Sequence, residues 1–175
     1  IADIARCWGA KIPFVRPPTL ASDGALRNDV IRHALTQIPG YDVFILLQPT
    51  SPLRNENHIN EALNLFFKTN SKTCVSIARQ HPAPNWIYKL SDANQLIKIY
   101  DEAKSTNRQE LECFYKLNGA IYISYTDYFL NSNYFDPLIT NQTIGYKMKD
   151  IDSLDIDNIN DIKIVENIIM NMNLK

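Results

Sequence analysis

The sequence predicts an α/β domain built on a mainly parallel sheet, and three observations lead there. Residues 43–47, VFILL, form an unbroken apolar run of the length and type expected for a strand buried on both faces. The run breaks at once into Gln48, Pro49, Thr50, Ser51, Pro52, Leu53 and Arg54. Open α/β sheets place ligands at such polar ends of buried strands, although Pro and Ser also make ordinary turns. A helical pattern over residues 55–69 separates this run from a second β-like run, TCVSI at 73–77. Strand, helix, strand in that rhythm implies right-handed crossovers and parallel neighbours.

Composition sets the outer bounds. With 175 residues, 45% of them hydrophobic, the chain can bury one sizeable core, so a single domain spanning 1–175 is the default. Eighteen basic against nineteen acidic side chains leave a formal charge of -1, which gives no field to draw the chain to nucleic acid or an anionic membrane. The apolar runs are too short to span a bilayer. Cys7, Cys74 and Cys113 lack any CxxC spacing, which fits a reducing cytoplasm and three small apolar core residues.

Taken in order, Ile1, Ile4 and Ala5 have helical spacing and Gly9 can end that helix; a helix without a start signal suggests a chain cut from something longer. Residues 11–15, KIPFV, read as a short strand closed by Arg16-Pro17-Pro18. Ser22 or Asp23 can cap a helix whose inward face is Val30, Ile31, Ala34, Leu35 and Ile38, with Pro39-Gly40 as its stop. After the 48–54 turn, Asn55 or Asn57 can start a helix with Ile59, Ala62, Leu63, Phe66 and Phe67 on one face, and Asn70-Ser71 ends it. The rhythm changes over 78–116, where two short β-like pieces around 86–90 and 96–100 precede a charged stretch at 101–112. This region reads as an arm or flap outside the sheet. A strand at 117–123, a short helix at 126–130, a strand at 143–148 and an amphipathic helix with Ile159, Ile162, Val165, Ile168, Ile169 and Met172 complete the chain.

Several residues carry chemistry by type and position. Asp150 and Asp152 are two apart, so an extended backbone would set both carboxylates on one face, an arrangement suited to Mg²⁺; Asp155 and Asp157 offer the same spacing. Gln48, at the carboxyl edge of the sheet, can both donate and accept toward a polar ligand. Asn118-Gly119 lets backbone approach a ligand closely and is equally a good turn. Tyr122 fits either a ligand contact or a core aromatic with a satisfied hydroxyl.

Three blocks, QPTSPLR at 48–54, NGAIYI at 118–123 and DID at 150–152, follow one another over about 105 residues. In that order they resemble the cytidylyltransferases that activate sialic and related nonulosonic acids. The resemblance covers the chain from end to end and implies a three-layer, Rossmann-like (GT-A-like) nucleotidyltransferase fold. It implies CTP and a sialic-type acid as substrates and Mg²⁺ as cofactor, with Asp150 and Asp152 as catalytic metal ligands. Arg16, in the matching RP segment, is implied to lie against the nucleotide. Gln48, Tyr122 and Asn118 are implied at the sugar, together with Arg108 of the RQxL segment, which the family supplies across a homodimer interface built by the 78–116 arm. Arg108 also reads as a charge on a solvated arm. Two positions depart from the family pattern. Arg27 stands where a small hydroxyl residue often holds the cytosine, and the segment starting His81-Pro82 lacks its lysine. His81 itself reads as structural.

The resemblance further implies that roughly the first fifty residues of the family's enzyme, with their basic phosphate loop, precede Ile1. On that expectation the 175-residue species is a poor catalyst. Alternative readings are a cytidylyltransferase for legionaminic, pseudaminic or another sugar acid, or a non-catalytic remnant that binds nucleotide or dimerises.

Overall fold

The computed structural model describes residues 1–82, 84–99 and 113–172. Four strands make the main sheet: β1 (Val43–Leu46), β2 (Thr73–Arg79), β5 (Tyr115–Tyr125) and β6 (Thr143–Lys147), in spatial order β1-β5-β2-β6. β6 lies parallel to β2, while β5 is antiparallel to both β1 and β2. Three of the four strands therefore run one way, and a single reversed strand lies between two of them. The expectation of a mainly parallel sheet holds in this sense. The reversal follows from the excursion after β2: a chain that leaves by the strand's carboxyl end and comes back at that end enters the sheet running the other way.

Helices cover both faces. Ile121 and Ile123 of β5 and Cys74 of β2 point to one side, where they meet Ala62 and Phe66 of helix α3 (Glu56–Thr69). Tyr122 and Val75, one residue out of step, point to the other, where they meet Ile31 of α2 (Arg27–Gln37) and Phe129 of α4 (Thr126–Asn131). The period of two along a strand thus divides one run of sequence between two cores, giving three layers.

The local signals for α3 act as read. The Asn55 side chain accepts from the Asn57 and His58 amides, and His58 Nδ1 accepts from the Asn55 amide at 3.2 Å, which completes a reciprocal capping box. Asn70 closes the helix in the left-handed conformation, φ 51°. Its inward face is narrower than the spacing suggested, since Phe67 is more than half exposed. α2 starts later than Ser22 or Asp23 would have it, because Ser22 and Ala25 close a turn of their own before the extended Leu26.

Other expectations change. Residues 11–15 have no ladder partner, and Val15 is mostly exposed. Pro13 has no N–H to donate, so this piece cannot present the full row of donors a strand needs. α1 (Ala2–Cys7) buries none of its residues. In α5 (Ile159–Met172) only Val165 is buried, while Ile159, Ile162, Ile169 and Met172 face out. β3 (Tyr88–Leu90) and β4 (Leu96–Lys98) pair as a separate two-stranded sheet carrying exposed apolar side chains. Among the described residues no helix is long and apolar enough to cross a membrane.

The cysteines also divide. Cys74 is a core residue whose thiol burial pushes up to about 11, whereas Cys7 and Cys113 are exposed rather than buried. A thiol-alkylating reagent at neutral pH is expected to modify Cys7 and Cys113 quickly and to spare Cys74 until the chain unfolds. Peptide mass mapping over a time course checks this.

Candidate active site

A cavity of about 660 Å³ opens at the carboxyl ends of the co-directional strands. Gln48 reaches it from beyond β1, Ala78 and Arg79 from the end of β2, and Asp150 from beyond β6. β5 runs the other way and contributes its entering residues, Lys116 to Gly119, and Tyr122. This is the edge at which open α/β sheets bind ligands.

The floor of the cavity is a bulge. Along β2 and β5 the register passes from Val75 opposite Tyr122 to Ile77 opposite Leu117, so residues 118–121 all oppose Ser76. Gly119 permits it with φ 76°. A β-carbon there would stand 2.4 Å from Gln48 Oε1 and 3.7 Å from Asp155 Oδ2, so the bare backbone makes room for both side chains. The Ser76 hydroxyl takes up the bulge's polar groups. It accepts from the Ile121 amide at 2.7 Å and lies 2.5 Å from Asn118 Oδ1.

Asn118, expected at the sugar, has its side chain committed to the protein. Oδ1 accepts from Ser76 and from the Ala120 amide, and Nδ2 donates to Ser153 Oγ at 2.9 Å and faces Met148 Sδ at 3.3 Å. With two donors and two acceptor sites engaged, the amide has no capacity left for a ligand. It ties β2, β5 and the acidic segment together beneath the cavity.

Arg54 is a residue whose role sequence reading missed. Its guanidinium donates to the carbonyls of Gln48 at 3.0 Å and Ala120 at 2.8 Å, which clamps the 48–54 turn to the bulge. Burial lowers its pKa from the ordinary arginine value. The signal was available, since a charged residue closing a turn at the end of an apolar strand needs acceptors when it is covered. The same turn holds the acidic segment, because the Thr50 carbonyl accepts from the Ile156 amide at 2.9 Å.

The acidic residues are arranged differently from the extended spacing assumed for them. Ile151–Ser153 is a turn of 3-10 helix, and Asp150 just before it is helical, φ -57° and ψ -40°. At three residues per turn, positions two apart point to different sides. Asp150 looks into the mouth of the cavity, 3.7 Å from His81 Nε2 and largely exposed. Asp152 turns away onto α3, 3.5 Å from His58 Nε2 and mostly covered. Beyond the turn, Asp155 and Asp157 both line the cavity. Asp155 Oδ1 is buried with no hydrogen-bond partner. Asp161 at the start of α5 fixes the end of the segment, its carboxylate accepting from the Asp157 and Asn158 amides at 2.9 Å.

Tyr122 is buried and lines the cavity, with the Arg27 guanidinium 4.9 Å above its ring. Burial raises its pKa and Arg27 partly offsets that. Arg27 is held in turn by Asp136, 2.5 Å from Nη2. Arg16 lies apart from these residues: it is exposed, donates to the Leu20 carbonyl at 3.2 Å and does not line the cavity. Arg108 falls outside the described residues.

No protein-family model matches the chain. Curated proteins similar to it include the following three. N-acylneuraminate cytidylyltransferase of Escherichia coli is 33% identical over 154 residues, covering 88% of this chain and 36% of that protein. CMP-N,N'-diacetyllegionaminic acid synthase of Legionella pneumophila is 33% identical over 71% of this chain and 55% of its own length. Post-translational flagellin modification protein B of Campylobacter coli is 31% identical over 100% of this chain and 75% of its own length.

The chain belongs to the acylneuraminate cytidylyltransferase family. It spans only about a third of the length of the first cytidylyltransferases it matches, 36% and 34%. Two of the three blocks that carry the family resemblance in this sequence, the 48–54 turn and the 118–123 strand, meet at the cavity through the Arg54 clamp. The third is displaced: of the two DxD pairs, the one that reaches the cavity as a pair is 155–157, not 150–152.

Proposed function

We propose that this domain transfers a cytidylyl group from CTP to a sialic-type nonulosonic acid, with release of pyrophosphate. The observation that carries the reading is one cavity at the sheet's carboxyl edge that gathers Gln48, the Gly119 bulge and the carboxylates of Asp150, Asp155 and Asp157.

The acidic segment fits a divalent cation. The buried, unpartnered Asp155 Oδ1 is an acceptor that lacks a donor or a cation. Among the described residues no group of three or more His, Cys, Asp or Glu side chains forms a ready-made ligand set. Two carboxylates on that segment are within what Mg²⁺ needs, since it takes one or two and fills its remaining positions with water and phosphate oxygens. We assign Asp155 and Asp157 to it in place of Asp150 and Asp152, with Asp150 at the mouth. When bound, Mg²⁺ supplies neutralisation of the charge that develops on the phosphates.

The chain's own groups do the rest. Gln48, its carbonyl fixed by Arg54, presents its amide to the acceptor sugar acid. Tyr122, steadied by Arg27, forms the side wall. The anomeric hydroxyl attacks the α-phosphorus in line, the new O–P bond forms as the bond to the β-phosphate oxygen breaks, and the hydroxyl proton leaves to solvent. Arg79 and Lys116 at the rim offer positive charge to the anionic substrates. Arg16 and Arg108 remain proposed contacts to nucleotide and sugar. The exposed Trp86, Tyr88, Leu90, Leu96 and Ile97 support a homodimer formed through the 78–116 arm. We place the reaction in the cytoplasm, where CTP is made.

The test is pyrophosphate release from CTP, with ATP, GTP and UTP as controls, against N-acylneuraminic, legionaminic and pseudaminic acids, with Mg²⁺ and with EDTA. Release that requires CTP, one of these acids and the metal is the expected result. Release with another nucleotide, or undiminished release in EDTA, overturns the proposal.

A further inference from the structure

The acidic segment that carries Asp155 and Asp157 is tied down at several points, and one tie has no part in the site described above. Ser153 Oγ accepts from Asn118 Nδ2, the Ile156 amide donates to the Thr50 carbonyl, and Asp161 holds the far end. The remaining tie is Asp152 against His58, with side-chain exposures of 15% and 13%. His58 sits on the third residue of α3. Because its Nδ1 accepts from the Asn55 amide, the neutral ring carries its proton on Nε2, the atom 3.5 Å from Asp152 Oδ2. The helix cap thus selects the tautomer that faces the carboxylate. Tyr146 of β6 also donates to Glu61 of the same helix at 2.5 Å, so β6, which leads into the segment, is tied to α3 as well.

We infer that His58 is a positioning residue: it acts through Asp152 to hold the 150–157 segment against α3, and so aims Asp155 and Asp157 into the cavity. This rests on the nucleotidyl-transfer reading only in what the aimed carboxylates are for. The physical reason is the one by which partners of metal ligands matter. A carboxylate that must meet a cation at a fixed distance gains from every contact that removes its freedom in advance. Asp152, two positions from Asp150 in the sequence, serves on this view as the hook of the segment.

The test uses the intact chain and the variants His58→Leu, Asp152→Ala and the double variant. Mn²⁺ alone is titrated as the probe, amide exchange is followed at Ile156, and pyrophosphate release is measured in parallel. His58→Leu is expected to weaken Mn²⁺ binding by about 10- to 100-fold. It should speed exchange of the Ile156 amide by about tenfold. Asp152→Ala leaves the helix cap intact, so the same losses there show that the tie and not the cap is responsible. The double variant is expected to be no worse than Asp152→Ala. Losses that add in the double variant, or an Ile156 amide and Mn²⁺ affinity unmoved in both single variants, overturn the inference. A wild-type chain that protects Ile156 and binds Mn²⁺ but releases no pyrophosphate removes the reaction and leaves the tie. A wild-type chain that binds no Mn²⁺ removes both.

Discussion

Asp155→Asn is expected to lower kcat/KM for pyrophosphate release by about 100-fold or more, and to leave the folded state as stable as before or more stable. The first effect follows from the cation. Charge stabilisation by a bound metal is worth several kcal/mol, and each 1.4 kcal/mol is about tenfold in rate, so losing one of two anchoring carboxylates costs two orders of magnitude. The second follows from the orphaned oxygen. Asp155 Oδ1 is buried without a donor, and Asp150 and Asp157 bring further negative charge to the same cavity. A neutral amide removes one charge from that set and can turn its N–H₂ toward the remaining acceptors. Turnover at saturating Mg²⁺ and thermal melting in EDTA check the two halves separately. Asp152→Asn is the control: Asn still offers an oxygen to His58, and the expected loss is less than about tenfold. A loss at Asp152 larger than that at Asp155 would return the metal to the 150–152 pair.

The second large effect is at Gly119. Alanine there meets two obstacles at once: φ 76° is the left-handed region, and the new methyl stands 2.4 Å from Gln48 Oε1. The first costs about 1–2 kcal/mol for a residue with a β-carbon and appears as lowered stability in urea. The second is relieved by moving the Gln48 amide, the far end of a flexible side chain, so its cost falls on function. Gly119→Ala should therefore raise KM for the sugar acid by about tenfold while KM for CTP changes little. Repeating the substitution in a Gln48→Ala background separates the two effects. The stability loss should persist, and the further rise in KM should vanish because the displaced group is gone. A KM rise that survives in that background would mean the bulge, and not Gln48, meets the sugar.

How far the sequence foretells this site can be judged residue by residue. The apolar run at 43–46 and the polar turn after it were legible, since one strand's apolar length and one abrupt break are local facts, but its place was not: β1 is an edge strand and only half-buried, not covered on both faces. α3 was legible as well, because Asn55 and His58 write its cap into adjacent residues. The reversed direction of β5 was not legible, as a strand's polarity depends on where the chain has been and leaves no mark on its own composition. Nor could spacing choose between two DxD pairs five residues apart. That choice is made by three residues of 3-10 helix and by a histidine nearly a hundred positions earlier, both matters of tertiary fit. Asn118 illustrates the converse case. Its residue type suits a ligand contact, and the structure commits all of its hydrogen bonds to the scaffold.

The position of β5 has a consequence for how the molecule is made. The strand that separates β1 from β2 ends at Tyr125, more than eighty residues after β1 begins at Val43. During synthesis β1 and β2 emerge with no partner for each other, because the native sheet never pairs them directly. Their apolar edges stay open until the chain has completed the arm and returned with NGAIYI. The same event that joins β1 to β2 through β5 also folds the Gly119 bulge against Gln48 and brings Arg54 its second carbonyl. The floor of the cavity is therefore built as β5 enters the sheet and its acidic wall only after β6 has paired with β2, and a ribosome-bound chain halted short of 125 exposes unpaired strands and has no site.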